Sequence, residues 1–105
     1  MGTSIPKSRN NSDQKDITRN DQKVSREALE TAYCFFHQKQ RVFQYSTMEW
    51  QKVDIEYAIN SYLDDMNREL YLYLSDGREE FLRNHDTFGE ELLEAVERLE
   101  SVLGV

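Results

Sequence analysis

The strongest constraint on this fold is that little in the chain would interrupt a helix after residue 23. The only proline is Pro6, and from residue 24 onward glycine occurs only as Gly77, Gly89 and Gly104. Proline and glycine are the residues that destabilise a helix interior most. Apolar residues recur in the same region at spacings of three and four, which is typical of helices with one buried face. We therefore predict an all-α fold.

The first 23 residues have a different character. They are mostly Ser, Asn, Asp, Gln, Lys and Arg, with Ile5 and Ile17 as the only branched aliphatic residues. Such a segment cannot bury enough apolar surface to offset the entropy lost on ordering. We predict that residues 1–23 form a disordered polar tail, which is either a simple extension or an arm that folds on a partner. Residues 24–105 should form a single helical domain, a small bundle of about four helices.

The first helix has a clear predicted start. Ser25 can act as its N-cap, and Val24 can pack on Leu29 as a hydrophobic staple. The helix should end near Tyr45. Its expected apolar face consists of Leu29, Ala32, Phe36 and Phe43.

The second helix is predicted from a capping box in which Ser46 and Glu49 stand three apart. Tyr45 and Trp50 flank this pair and could form a staple. The apolar residues that follow have the spacing of one buried helical face. They are Ile55, Ala58, Ile59, Tyr62, Leu63 and Met66.

The end of the second helix has three possible readings. The apolar spacing continues through Leu74, so one helix could run to Ser75 and stop at Gly77. Alternatively, Asn67 caps a new helix. A third possibility is that residues 70–74, which alternate leucine and tyrosine, form an edge strand paired across a dimer.

Two further spacings of three predict the remaining helices. Asp76 and Glu79 should open a short helix that fades near His85. Thr87 and Glu90 should mark the start of the last helix, which Gly104 closes. The apolar residues expected inside are Phe81 and Leu82 on the short helix, and Phe88, Leu92, Ala95, Val96, Leu99, Val102 and Leu103 on the last.

The charge distribution argues against nucleic-acid binding. The whole chain has a net charge of −7, yet residues 1–23 carry five basic and three acidic residues. Residues 24–105 therefore carry a net charge of −9. A body this acidic repels a phosphate backbone over roughly 8–10 Å at ordinary ionic strength.

Cysteine content and hydropathy restrict the cellular setting. Cys34 is the only cysteine, so no intrachain disulfide can form and a reducing, cytoplasmic location is expected. No run approaches the roughly 18 apolar residues of a membrane-spanning helix. We therefore expect no membrane association.

The sequence contains no recognisable catalytic or cofactor motif. Cys34 and His37 lie three apart and could supply half of a metal site, but the only other histidine is the distant His85. We interpret Cys34 as a buried thiol and His37 as a histidine at the edge of the core. A metal-dependent enzyme is the remaining catalytic alternative, and it would need more ligands than this pair supplies. We therefore expect no catalytic residue, no metal and no cofactor.

The distribution of aromatic residues is unusual. All six tyrosines and the single tryptophan fall between residues 33 and 73, and Tyr and Trp are enriched in protein interfaces. We predict a non-catalytic protein-interaction module that self-associates, as a homodimer. The alternative is an acidic regulator or decoy that binds a basic, DNA-binding protein. The predicted partner surface consists of Tyr33, Trp50, Asp54, Tyr57 and Tyr71.

Three segments of the chain carry a resemblance to a known group of proteins. They are residues 32–39 (AYCFFHQK), 46–51 (STMEWQ) and 54–59 (DIEYAI). Together they resemble a family of short helical proteins of gut anaerobic bacteria and their mobile elements, over about residues 28–103. The family has no assigned activity, so the resemblance implies no functional residue.

Overall fold

The computed structural model of the chain describes residues 24–105. The predicted disordered tail, residues 1–23, lies outside the described residues. Within 24–105 the chain forms helices and no strand, which confirms the all-α prediction. The elements are α1 (Arg26–Tyr45), α2 (Glu49–Asp65), α3 (Arg68–Ser75), a short 3-10 helix (His85–Thr87) and α4 (Phe88–Leu103).

The predicted bounds of α1 are confirmed. Ser25 is the N-cap, and its Oγ accepts a hydrogen bond from the backbone N–H of Ala28 at 3.0 Å. This bond satisfies one of the N–H groups that a helix start leaves without a partner. Val24 and Leu29, the two residues of the predicted staple, are both buried in the core. The helix ends at Tyr45 as expected.

The start of α2 differs from the predicted capping box. The helix begins at Glu49, and its N-cap is Met48, which makes no side-chain cap bond. Ser46 instead accepts a hydrogen bond from the N–H of Met48 at 3.2 Å and donates one to the Gln51 side chain at 2.6 Å. The predicted capping box was therefore wrong. Its physical reason is that a serine hydroxyl can bond the backbone N–H two residues ahead as readily as an N–H of the helix.

The predicted staple at this point was also wrong. Tyr45 and Trp50 are both exposed, at 70% and 63% of their maximum. A staple needs two apolar side chains that pack on each other at a helix entrance. Neither ring is sheltered in this way, so both remain open to solvent.

A break between α2 and α3 resolves the open question about residues 47–75. Met66 adopts an extended conformation, and Asn67 then caps α3 by accepting hydrogen bonds from the N–H groups of Glu69 and Leu70, at 2.8 and 3.2 Å. Two helices therefore form instead of one. The strand reading of residues 70–74 was wrong, since they lie within α3.

The segment after α3 folds without the predicted short helix. Asp76 takes a left-handed conformation as the C-cap of α3, with φ of 56°, so it closes one helix and does not open another. Residues 79–83 form turns, although Phe81 and Leu82 are buried as expected. Thr87 is the N-cap of α4 but its side chain makes no cap bond. The predicted start and end of α4 are confirmed.

The core lies mainly between α1 and α4, which pack on each other more extensively than any other pair of elements. The whole apolar stripe predicted for α4 is buried. From the predicted face of α2, Ile55, Ile59 and Leu63 are buried, whereas Tyr62 and Met66 are half-buried. The remaining core residues are Val24, Leu29, Ala32, Phe36, Leu70, Leu74, Phe81 and Leu82.

Candidate interaction surface

The inner side of α2 is occupied by contacts within the chain. Ile59 is completely buried. On one flank, the side-chain amide of Asn60 donates a hydrogen bond to the carbonyl oxygen of Leu82 at 3.1 Å. Nearby, His85 Nδ1 lies 2.7 Å from Glu56 Oε2. These contacts fix the segment after α3 against α2 and leave only the opposite side of the helix open.

The open side of α2 carries a stripe of exposed aromatic and aliphatic residues. Trp50, Val53 and Tyr57 are exposed by 63%, 47% and 76%. Their spacing of three and four places them on one face, with neighbouring Cβ atoms about 5–6 Å apart. Asp54 is also exposed and lies between the two rings. We call these four residues the α2 outer face.

The polar groups of the α2 outer face have no internal partner. Within residues 24–105, the indole N–H of Trp50, the carboxylate of Asp54 and the hydroxyl of Tyr57 form no side-chain hydrogen bond or ion pair. Tyr and Trp in protein cores usually find such a partner. The face therefore stabilises the fold little, and its polar groups are free to bind another molecule.

The other two tyrosines of the predicted surface make contacts within the fold. Tyr33 is half-buried and donates a hydrogen bond to Glu100 Oε2 at 3.1 Å, joining α1 to α4. Partial burial, and then this bond, raise the pKa of the Tyr33 hydroxyl. Tyr71 is also half-buried and donates to the carbonyl oxygen of Phe81 at 3.0 Å. The structure thus brings Trp50, Asp54 and Tyr57 together on one helix face, while Tyr33 and Tyr71 link other elements.

Some exposed apolar residues were missed in the sequence analysis. Val53 lies three residues after Trp50 and four before Tyr57, so a search for a second stripe on α2 would have found it. Tyr45 and Met48 extend the exposed apolar surface into the connection between α1 and α2, at 70% and 53% exposure. This exposure was not foreseen because a staple that would shelter Tyr45 was predicted there.

The proposed metal ligands do not form a site. Cys34 is exposed, which corrects the prediction that it is buried. The ring of His37 lies 5.3 Å from that of Tyr33. Among the residues the structure describes, no group of three or more His, Cys, Asp or Glu side chains is arranged to hold a metal ion.

One open cleft of about 560 Å³ lies between the start of α1 and the junction of α2 with α3. Partial burial raises the pKa of the Tyr62 hydroxyl in this cleft. Its carboxylates, Glu27 and Asp65, are both exposed, and Glu27 lies in the first turn of α1, where a carboxylate stabilises the helix. The lining has no histidine or cysteine, and consists of Ser25, Glu27, Ala28, Thr31, Tyr62, Asp65, Met66, Asn67 and Leu70.

Comparison with known proteins gives no assignment for the chain. No family model, curated protein or solved structure matches it. The resemblance to short helical proteins of gut anaerobic bacteria therefore stays a prediction. None of the helices between residues 24 and 105 combines the length and the apolar character that crossing a membrane requires.

Proposed function

We propose that this chain is a non-catalytic protein-interaction module that binds its partner through the α2 outer face. One observation carries the proposal: Trp50 and Tyr57 share a helix face, are mostly exposed, and have polar groups without a partner in residues 24–105. Aromatic side chains bury about 150–250 Å² each when covered. Trp and Tyr are also enriched among the residues that dominate binding energy at interfaces.

Self-association remains one form of this proposal. A homodimer would add buried surface to a small domain, which has little core of its own. Pairing through the α2 outer face would bring the Asp54 carboxylates of the two copies close together. Like charges repel less as salt screens them, so such a dimer should become tighter as ionic strength rises.

The test compares Trp50→Ala and Tyr57→Ala with Leu93→Ala, a control that removes an exposed leucine from α4. Circular dichroism should show all three variants folded, because each residue is at least 43% exposed. Sedimentation velocity over a concentration series and affinity capture of partners should show weaker association for the two α2 variants only. If all three variants behave like the unaltered chain in both measurements, the proposal fails.

A second candidate function is an acidic regulator or decoy that binds a basic, DNA-binding protein. It is favoured by the net charge of −9 in residues 24–105 and by Asp54, which is exposed on the α2 outer face. Binding to such a protein should weaken steeply as ionic strength rises. Binding that is insensitive to salt would reject this candidate.

We propose a cytoplasmic location for the module. Its single cysteine, Cys34, is exposed. An exposed thiol without a disulfide partner in the same chain suits a reducing compartment. Fractionation of cells that express a tagged chain would test this location.

A further inference from the structure

The chain covers several of its own aromatic rings with cations. Contacts of this kind attract because a positive charge lies over the negative face of the ring. The shortest joins the guanidinium of Arg78 to the ring of Phe81, with 4.5 Å between guanidinium carbon and ring centroid. The others are Lys39 on Phe35, Arg41 on Tyr45, Lys52 on Phe43 and Arg98 on Tyr73.

The two rings of the α2 outer face have no such cation. Among residues 24–105, no lysine or arginine lies over Trp50 or Tyr57, although Tyr57 is the most exposed of the large apolar side chains. Asp54 lies between these rings and likewise has no ion pair in the described region, whereas Asp64 on the same helix pairs with Arg83 at 2.9 Å. The face thus offers two open rings and one unpaired carboxylate.

We infer that the α2 outer face recognises an arginine-bearing segment of another protein, with Asp54 pairing the guanidinium and Trp50 and Tyr57 flanking it. This inference rests on the proposed function, because it assigns the chemistry of the partner to the same face. A planar guanidinium can donate two hydrogen bonds to one carboxylate and stack on aromatic rings at the same time. The compact ammonium group of lysine cannot do both.

A second copy of the chain is a poor source of this arginine. Four of the arginines in the described region already lie within 4 Å of a carboxylate. Of the other two, Arg41 lies over the ring of Tyr45, whereas Arg68 is exposed and makes no such contact. The net charge of −9 on residues 24–105 also opposes the approach of a second copy and favours a basic partner.

The face should be probed with short amphipathic helical peptides that differ only in their charged residue. One contains leucine and arginine, the second leucine and lysine, and the third leucine and glutamate. Trp50 is the only tryptophan, so its fluorescence reports binding at the face itself. We expect saturable binding of the arginine peptide, several-fold weaker binding of the lysine peptide, and no binding of the glutamate peptide.

The matched variants are Asp54→Asn and Glu97→Gln. Each removes one negative charge from an exposed position, the first on α2 and the second on α4. Asp54→Asn should weaken arginine-peptide binding about tenfold, whereas Glu97→Gln should change it less than twofold. Equal losses in both variants would show general attraction to an acidic chain and would overturn the inference. So would equal binding of the arginine and lysine peptides, or an absence of saturable binding.

A third variant separates this inference from the proposed function. If Tyr57→Ala weakens association with protein partners while Asp54→Asn has no effect on peptide binding, the face binds proteins but does not select arginine. If neither Trp50→Ala nor Tyr57→Ala changes partner association, and Tyr57→Ala leaves peptide binding unchanged, both proposals fail. A homodimer that forms through Trp50 and tightens with salt would overturn only the choice of an arginine-bearing partner.

Discussion

The carboxylate of Glu91 accepts a hydrogen bond from the backbone N–H of Leu82 across 2.7 Å. Leu82 has φ of 64°, in the left-handed region that residues other than glycine rarely adopt, and its side chain is completely buried. Because the segment around Leu82 forms turns, no helix ladder supplies a partner for this N–H group. The α4 carboxylate therefore helps hold an unfavourable backbone conformation that places Leu82 in the core.

We expect Glu91→Ala to lower the free energy of unfolding by about 1–3 kcal/mol, because the Leu82 N–H loses its partner. The control is Glu90→Ala, which removes an exposed carboxylate from the same helix and should cost no more than about 0.5 kcal/mol. Urea denaturation measures both values. Similar losses in the two variants would contradict a specific role for Glu91.

The caps of α3 and α4 give a second prediction. Asn67 accepts two backbone hydrogen bonds at the start of α3, whereas Thr87 occupies the same position of α4 without a cap bond. Asn67→Ala should therefore cost about 1 kcal/mol of stability, and Thr87→Ala should cost no more than about 0.5 kcal/mol. Thermal unfolding of the two variants side by side would decide this, and a larger loss for Thr87→Ala would show that the assigned caps are wrong.

The ion pair between Arg78 and Glu94 should make the stability of the fold depend on pH. The hydrogen bond from Arg78, with help from Arg98, holds the pKa of Glu94 below its usual value of about 4.3. A carboxylate with a lowered folded pKa stabilises the fold above its unfolded pKa, and this contribution is lost as pH falls through the folded pKa.

Glu94→Gln should accordingly be less stable than the unaltered chain near pH 7, and the difference should shrink towards zero in acid below about pH 4. Because both partners are more than a third exposed, solvent screening limits the difference at pH 7 to about 0.5 kcal/mol. Urea denaturation over this pH range measures it. A difference that persists unchanged in acid would show that Glu94 acts through packing and not through its charge.

Local sequence patterns predicted the helices well, because three-and-four spacing and a shortage of helix breakers act within each segment. Competing local geometries were harder to foresee. Ser46 and Asp76 each stand three residues before a glutamate, yet Ser46 bonds the N–H of Met48 and Asp76 closes α3 in a left-handed conformation. The same side chain can satisfy either geometry, and the spacing alone does not choose between them.

The candidate site was predictable where it depends on local spacing and not where it depends on packing between helices. Trp50, Asp54 and Tyr57 lie on one helix, so their common face follows from spacing alone. Tyr33 could not be assigned in this way, because its hydroxyl partner, Glu100, is 67 residues away in the chain. Long-range hydrogen bonds of this kind depend on the packing of α1 on α4, which no local pattern specifies.

Gly89 illustrates how such packing constrains a position that seems tolerant in the sequence. It lies in the first turn of α4, where glycine costs little and alanine should be acceptable. An added Cβ would, however, lie 3.0 Å from Cε1 of Phe43. The ring of Phe43 packs against Phe88 on one side, with 5.3 Å between ring centroids, and has the ammonium group of Lys52 over it at 5.5 Å.

Because Phe88 and Lys52 both limit the movement of the Phe43 ring, we expect Gly89→Ala to lower stability by about 1 kcal/mol through overpacking, despite the higher helix propensity of alanine. In a Phe43→Leu background the ring is absent, and the same substitution should be neutral or stabilising. A double-mutant cycle by urea denaturation measures this coupling between the two positions. If Gly89→Ala has the same effect in both backgrounds, the close approach of the Phe43 ring does not constrain residue 89.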